Sequence, residues 1–141
     1  MIRAIIDTSV LIRYLIKPRA AIKELIEERW LGEQVRMVTA PDLMAELEGV
    51  LKWDSIQTLI QTDEGQALLD AIAQKADILP PLGPAPAYTR DPKDDKFVAC
   101  ALAGDANYLI TEDKDLLVLE GVGDVRIVTP YDFLRATRRL S

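Results

Sequence analysis

Strand-like apolar runs alternate with helix-patterned segments along this sequence, and that alternation constrains the fold more than any other feature. Residues 2–6 (IRAII) read as a buried strand ending at Asp7. Val10, Leu11, Tyr14 and Leu15 follow with helical spacing, and Asp7, Thr8 or Ser9 can cap that helix. Lys17-Pro18 breaks it, because a residue before proline is pushed out of the helical region. A second helix is predicted over about 19–31, stopped by Gly32. Residues 34–40 alternate with period two and predict a strand. Pro41-Asp42 opens a helix to about Trp53, and Asp54-Ser55 can cap another. Asp63 with Gln66 resembles a capping box for a helix to about Ala76, and residues 77–79 read as a short extended piece. Asp94-Asp95 opens a helix to Ala103 that Gly104 stops, and residues 107–110 predict a strand. Thr111-Glu112-Asp113 leads a short helix to about Leu119, Gly121 and Gly123 mark a turn, and residues 125–128 form a strand. Thr129-Pro130 starts a last helix that ends in Arg135, Arg138 and Arg139. Such alternation predicts an α/β fold around a mostly parallel sheet with right-handed crossovers.

At 141 residues, the expectation is one domain over residues 1–141. Residues 80–92 hold five of the eight prolines (Pro80, Pro81, Pro84, Pro86 and Pro92), so they predict a surface connection and no core helix. No apolar run is long enough to span a bilayer, and the N-terminus lacks a signal-peptide pattern. A single cysteine excludes an internal disulfide framework and predicts a reducing, cytoplasmic setting. Cys100 lies in the apolar VACALA run and reads as inert core; Trp30 and Trp53 read as core or as a partner surface, core being the simpler reading.

There is no histidine, which removes histidine triads, histidine general bases and histidine-ligated zinc together. Carboxylates are the chemistry that remains. In an open α/β sheet, ligands bind beyond the carboxyl ends of the strands. Asp7 follows the first predicted strand, and Asp113 follows the NYLI strand by three residues. Glu46 lies early in the helix after the second strand, and Asp94 and Asp95 open the helix before NYLI. Topology therefore predicts all five on one edge. Unpaired, they would repel one another, and a divalent cation removes that cost. An all-oxygen donor set favours hard ions such as Mg²⁺ or Mn²⁺, which suits metal-assisted phosphodiester hydrolysis.

Each acid also has a plainer reading. Asp7, Asp94 or Asp95 can be helix caps, Asp115 can favour the start of its short helix, and Glu46 and Glu48 both flank an apolar stripe on a solvated face. The net charge of −6 disfavours nucleic-acid binding by bulk attraction, although acids committed to a cation would leave the remainder near neutral. Haloacid-dehalogenase chemistry fails because Ser9 stands where a second Asp is needed, and a receiver domain fails because Asp54 follows a helix.

The motifs IIDTSVLI, PDLMAELEGVL and RDPKDDKFVACALAGDANYLITEDKDLL closely resemble the PIN-domain family, in its branch of toxins from toxin–antitoxin pairs. The resemblance spans nearly the whole chain, and its last block is the most specific. It implies a three-layer α/β/α sandwich with a central, mostly parallel sheet. It also implies an endoribonuclease that cuts single-stranded RNA with one or two Mg²⁺ or Mn²⁺ ions. By position, Asp7, Glu46, Asp95 and Asp113 match the family's catalytic and metal-binding acids, with Asp115 in the same cluster and Asp94 ranked below Asp95. Thr8, Ser9 and Thr111 would support the metal or the scissile phosphate through their hydroxyls. A homodimer and an antitoxin partner are implied by the resemblance alone. Lys96 and Lys114, with Arg90, Lys93, Arg13, Lys17 and Arg19, are candidate phosphate contacts, each against the simpler reading of solvated charge. The competing function is a PIN-like module that binds protein or RNA and cleaves poorly.

Overall fold

A computed structural model describes residues 1–61 and 63–138; Arg139, placed at the end of the last helix by its sequence, lies outside the described residues. The strands are β1 (Ile2–Ile6), β2 (Val35–Thr39), β3 (Asp77–Ile78), β4 (Tyr108–Ile110), β5 (Gly121–Val122) and β6 (Val125–Val128). They form one sheet in the order β3-β2-β1-β4-β6-β5. Every neighbouring pair is parallel except the β5–β6 hairpin. β1 is central: Ala4 pairs with Met37 on one side and Tyr108 on the other. A strand enclosed by neighbours and covered on both faces should be apolar, as the buried Ala4, Ile5 and Ile6 are; Arg3, nearer its start, is half-buried and pairs with Asp77 at 2.9 Å.

The helices are α1 (Thr8–Leu15), α2 (Ala20–Lys23), α3 (Pro41–Leu51), α4 (Asp54–Gln57), α5 (Glu64–Lys75), α6 (Asp95–Ala103), α7 (Lys114–Leu117) and α8 (Pro130–Thr137). Side chains of a strand point alternately to its two faces. Ala4 and Ile6 accordingly join a core with Val10, Ile22, Ile72 and Phe133, beneath α1, α2, α5 and α8. Ile5 joins the opposite core with Phe97, Cys100, Leu109 and Leu116, beneath α6 and α7. This is the α/β/α sandwich implied by the resemblance. Helix α3 reaches both cores, through Leu43 on one side and Leu47 on the other. Cys100 is fully buried, and burial with the Asp42 charge pushes its thiol up to about 12.

Several local expectations need correction. The helix expected over 19–31 changes pitch: after α2, Glu24–Trp30 is π-helical, with Leu31 N–H donating to the Ile26 carbonyl at 2.9 Å. The wider turn buries Leu25, Ile26 and Trp30 together against the sheet. Asp63 does not form the expected capping box; its side chain makes no cap bond, and Gln66 donates to Asp70 instead. Gly121 belongs to strand β5, and the tight turn falls at Gly123, whose φ of +57° suits glycine. Trp53 is not core: it is 59% exposed, whereas Trp30 is buried.

The proline-rich connection is held in place. Leu82 N–H donates to the Asp42 carboxylate at 3.1 Å, and the Tyr88 and Thr89 amides donate to Asp95 at 3.0 and 2.8 Å. Leu79, Leu82 and Tyr88 pack against the second core. Helix starts on the carboxyl edge of the sheet thus anchor a segment with little hydrogen-bonding capacity of its own.

Candidate active site

Asp7 leaves the end of β1 and caps α1, where its side chain accepts from the Ser9 amide at 3.4 Å and the Ser9 hydroxyl at 3.0 Å. It also accepts from Thr111 Oγ1 at 2.6 Å. Thr111 is fully buried just beyond β4, which pairs directly with β1, so the parallel register brings residues 104 positions apart into contact. Burial raises the Asp7 pKa, outweighing those hydrogen bonds, and the Glu46 charge adds to the rise. Thr111 Oγ1 in turn accepts from Asp113 N–H at 2.9 Å, and Asp113 caps α7 by accepting from Asp115 N–H at 2.9 Å. Thr111 therefore links the two acids that follow the central strands.

Glu46 comes from α3. One of its oxygens accepts from Thr8 Oγ1 at 2.6 Å and the other from Lys96 Nζ at 2.7 Å. Glu48 faces a different groove, between α3 and α5, with Met44 and Leu69. The alternation between these two glutamates is thus resolved by the helix face each occupies.

Asp94, which the sequence reading ranked below Asp95, is the one of the two that lines the cleft. Asp7, Glu46, Asp94 and Asp113 line one cleft of about 570 Å³, together with Thr8, Ser9 and Asp91; Asp95 does not line it. The Asp95 carboxylate is turned to the Tyr88 and Thr89 amides. Burial alone would raise its pKa, but those amide bonds and the Thr89 hydroxyl outweigh it and hold the carboxyl below its usual range. Two adjacent residues at a helix start project in different directions, and the loop amides take one of them.

Asp94 has the opposite electrostatics. It is buried, and its Oδ2 has no hydrogen-bond partner among the described residues. Burial first, then the Asp113 charge, pushes its carboxyl up to about 7, helped by the hydrogen bond that only the protonated form can donate to Asp113. Oxygens of Asp91, Asp94 and Asp115 also lie within 4.8 Å of one another. Asp91 was not among the sequence candidates. Its one signal is the Asp-x-x-Asp spacing to Asp94, one turn apart. An orphaned buried oxygen among crowded carboxylates, with hydroxyls at hand and no nitrogen or sulfur donors, fits a hard divalent cation.

The cations sort clearly. Arg13 and Lys93 line the cleft, are exposed, and form no ion pair among the described residues. Lys96 is committed to Glu46, and Arg90 pairs with Asp115 at 3.3 Å. Arg19 pairs with Glu112. Lys17 and Lys114 are exposed away from the lining of the cleft. The cleft also has an apolar lining that includes Ile12, Val50, Trp53, Ile56 and Leu59.

A parallel-sheet α/β/α sandwich that gathers acids at the carboxyl edge defines a class of domain. The family model for the PIN domain matches residues 3–115, and the chain belongs to that family. Two solved structures share the fold. One is VapBC2 from Rickettsia felis bound to a DNA fragment from its promoter, with 14% identity, a TM-score of 0.57, and coverage of 89% of this chain and 97% of that one. The other is FitAcB from Neisseria gonorrhoeae, with 17% identity, a TM-score of 0.56, and coverage of 91% and 98%. No curated protein matches in sequence. Among the described residues, no helix is long and apolar enough to cross a membrane.

Proposed function

We propose that residues 1–141 act as one PIN domain that hydrolyses phosphodiester bonds in single-stranded RNA with Mg²⁺ or Mn²⁺, as the toxin of a toxin–antitoxin pair. The observation that carries the reading is the buried, unpartnered Asp94 Oδ2 in the cleft shared with Asp7, Glu46 and Asp113. Asp7, Asp94 and Asp113 would hold the cation, with Asp91 and Asp115 beside them. When bound, the cation neutralises the acids and supplies Lewis-acid polarisation of the phosphodiester.

The chain's own groups do the positioning. Thr111 holds the Asp7 carboxylate and the Asp113 backbone, and the Asp115 amide orients the Asp113 carboxylate, so both acids are positioned before a ligand arrives. Thr8 and Lys96 hold Glu46 by both oxygens, leaving it oriented to steer an attacking water. Ser9 is exposed in the cleft beside Asp7, and its hydroxyl, which donates to Asp7, can turn that proton to a phosphate oxygen when a cation holds Asp7. Arg13 and Lys93, both lining the cleft, supply positive charge for the strand. In this reading Asp95 is a positioning residue that holds the loop carrying Asp91.

The likeness to VapBC2 and FitAcB supports an antitoxin partner, and a homodimer and a cytoplasmic site of action belong to the same reading. The alternative, a binding module without turnover, draws on the net charge of −6. The test is cleavage of labelled single-stranded RNA by the wild-type protein and Asp7→Asn, in Mg²⁺, Mn²⁺ or EDTA. Metal-dependent cutting that falls about 100-fold or more in the folded variant supports the nuclease. Equal trace activity in both proteins contradicts it and favours the binding module.

A further inference from the structure

Trp53 is 59% exposed, although its side chain offers one of the largest apolar areas available to a core. It stands at the start of α4, on the wall of the same cleft that holds Asp7, Glu46, Asp94 and Asp113. Leu59, also on that wall, is 61% exposed. Arg13 and Lys93, exposed and without an ion pair among the described residues, lie in the same cleft. An exposed indole, the Arg13 and Lys93 cations and an acid cluster lining one depression complement a single-stranded nucleic acid: a flat π-face for a base, and positive charge for its phosphates. A purely apolar protein partner would account for the indole but not for the cations beside it.

We propose that Trp53 is the stacking platform for a base of the single-stranded RNA whose phosphodiester reaches the acid cluster. The proposal rests on the nuclease reading of that cluster and adds a residue that sets where the strand lies. Stacking tolerates any base, so Trp53 contributes affinity and register more than sequence choice. The chain has two tryptophans, and Trp30 is buried under the first core, so a change in emission on binding reports Trp53.

The test uses a short single-stranded RNA oligonucleotide titrated into Asp7→Asn with Mg²⁺, a background in which no turnover is expected. Saturable quenching is predicted, and Trp53→Phe in the same background removes the quenching while keeping most of the affinity. Trp53→Ala should weaken binding about 5- to 150-fold. In the otherwise wild-type chain, Trp53→Ala should raise KM with kcat little changed. Affinity within about twofold of the parent in Trp53→Ala overturns the proposal. So does a Trp53→Ala chain that changes oligomeric state at unchanged RNA affinity, which assigns this face to a protein contact. Loss of cleavage in Asp7→Asn with unaltered RNA binding in Trp53→Ala leaves the nuclease standing and removes only the platform. Quenching by RNA without any cleavage in the wild type does the reverse.

Discussion

At Asp94, burial and the Asp113 charge push a carboxyl up to about 7, while backbone amides hold the neighbouring Asp95 below its ordinary range. The first is costly to ionise without a counter-charge, and the second already has its partners. The sign of the consequence follows from linkage. A carboxyl whose folded pKa lies above its ordinary 3.8 contributes stability that is full at low pH and is lost as pH rises through about 7. In EDTA, wild type should therefore lose stability between those values, and Asp94→Asn, which cannot ionise, should lose less. Thermal melts at about pH 4 and about pH 8 check this: the variant should gain on wild type only at the higher pH, and Mg²⁺ should remove the gap by stabilising wild type. A constant offset across pH would contradict it. At this scale the sequence was ambiguous for a definite reason. Composition and spacing mark Asp94 and Asp95 equally, and the choice depends on Tyr88 and Thr89 amides delivered by a proline-rich loop that has no periodicity.

Among the elements, the strands and most helices were legible because their apolar spacing matches one face or two. The π-helical Glu24–Trp30 segment was not, since one wide turn shifts the buried face without altering composition. Gly32, read as a helix stop, has a more specific role there. A Cβ at this position would sit 2.1 Å from the Glu28 carbonyl oxygen, and a backbone atom cannot swing aside as a side chain can. Gly32→Ala should cost about 1–3 kcal/mol, read as a lower urea midpoint with an unchanged slope. A midpoint equal to wild type would mean the π-helical end relaxes freely. Trp53 was read as core because large apolar side chains are usually buried; it stands just before the four-residue α4 and is exposed.

For the whole molecule, the convergence of distant acids was the most legible feature, because a parallel sheet places the ends of its strands on one edge. β1 and β4 pair directly, so Asp7 and Asp113 meet through Thr111, and α3 crosses the same edge with Glu46. What topology could not supply was the side-chain direction that brings Asp94 and Asp91 in and turns Asp95 away. The hard-cation site proposed for this edge depends on Asp94. Calorimetric titration of Mn²⁺ into the metal-free wild-type, Asp94→Asn and Asp95→Asn proteins tests it most directly. Saturable binding in wild type and Asp95→Asn, with loss of about 10-fold or more in affinity for Asp94→Asn, is the predicted result. Binding that survives in Asp94→Asn and disappears in a folded Asp95→Asn would contradict it.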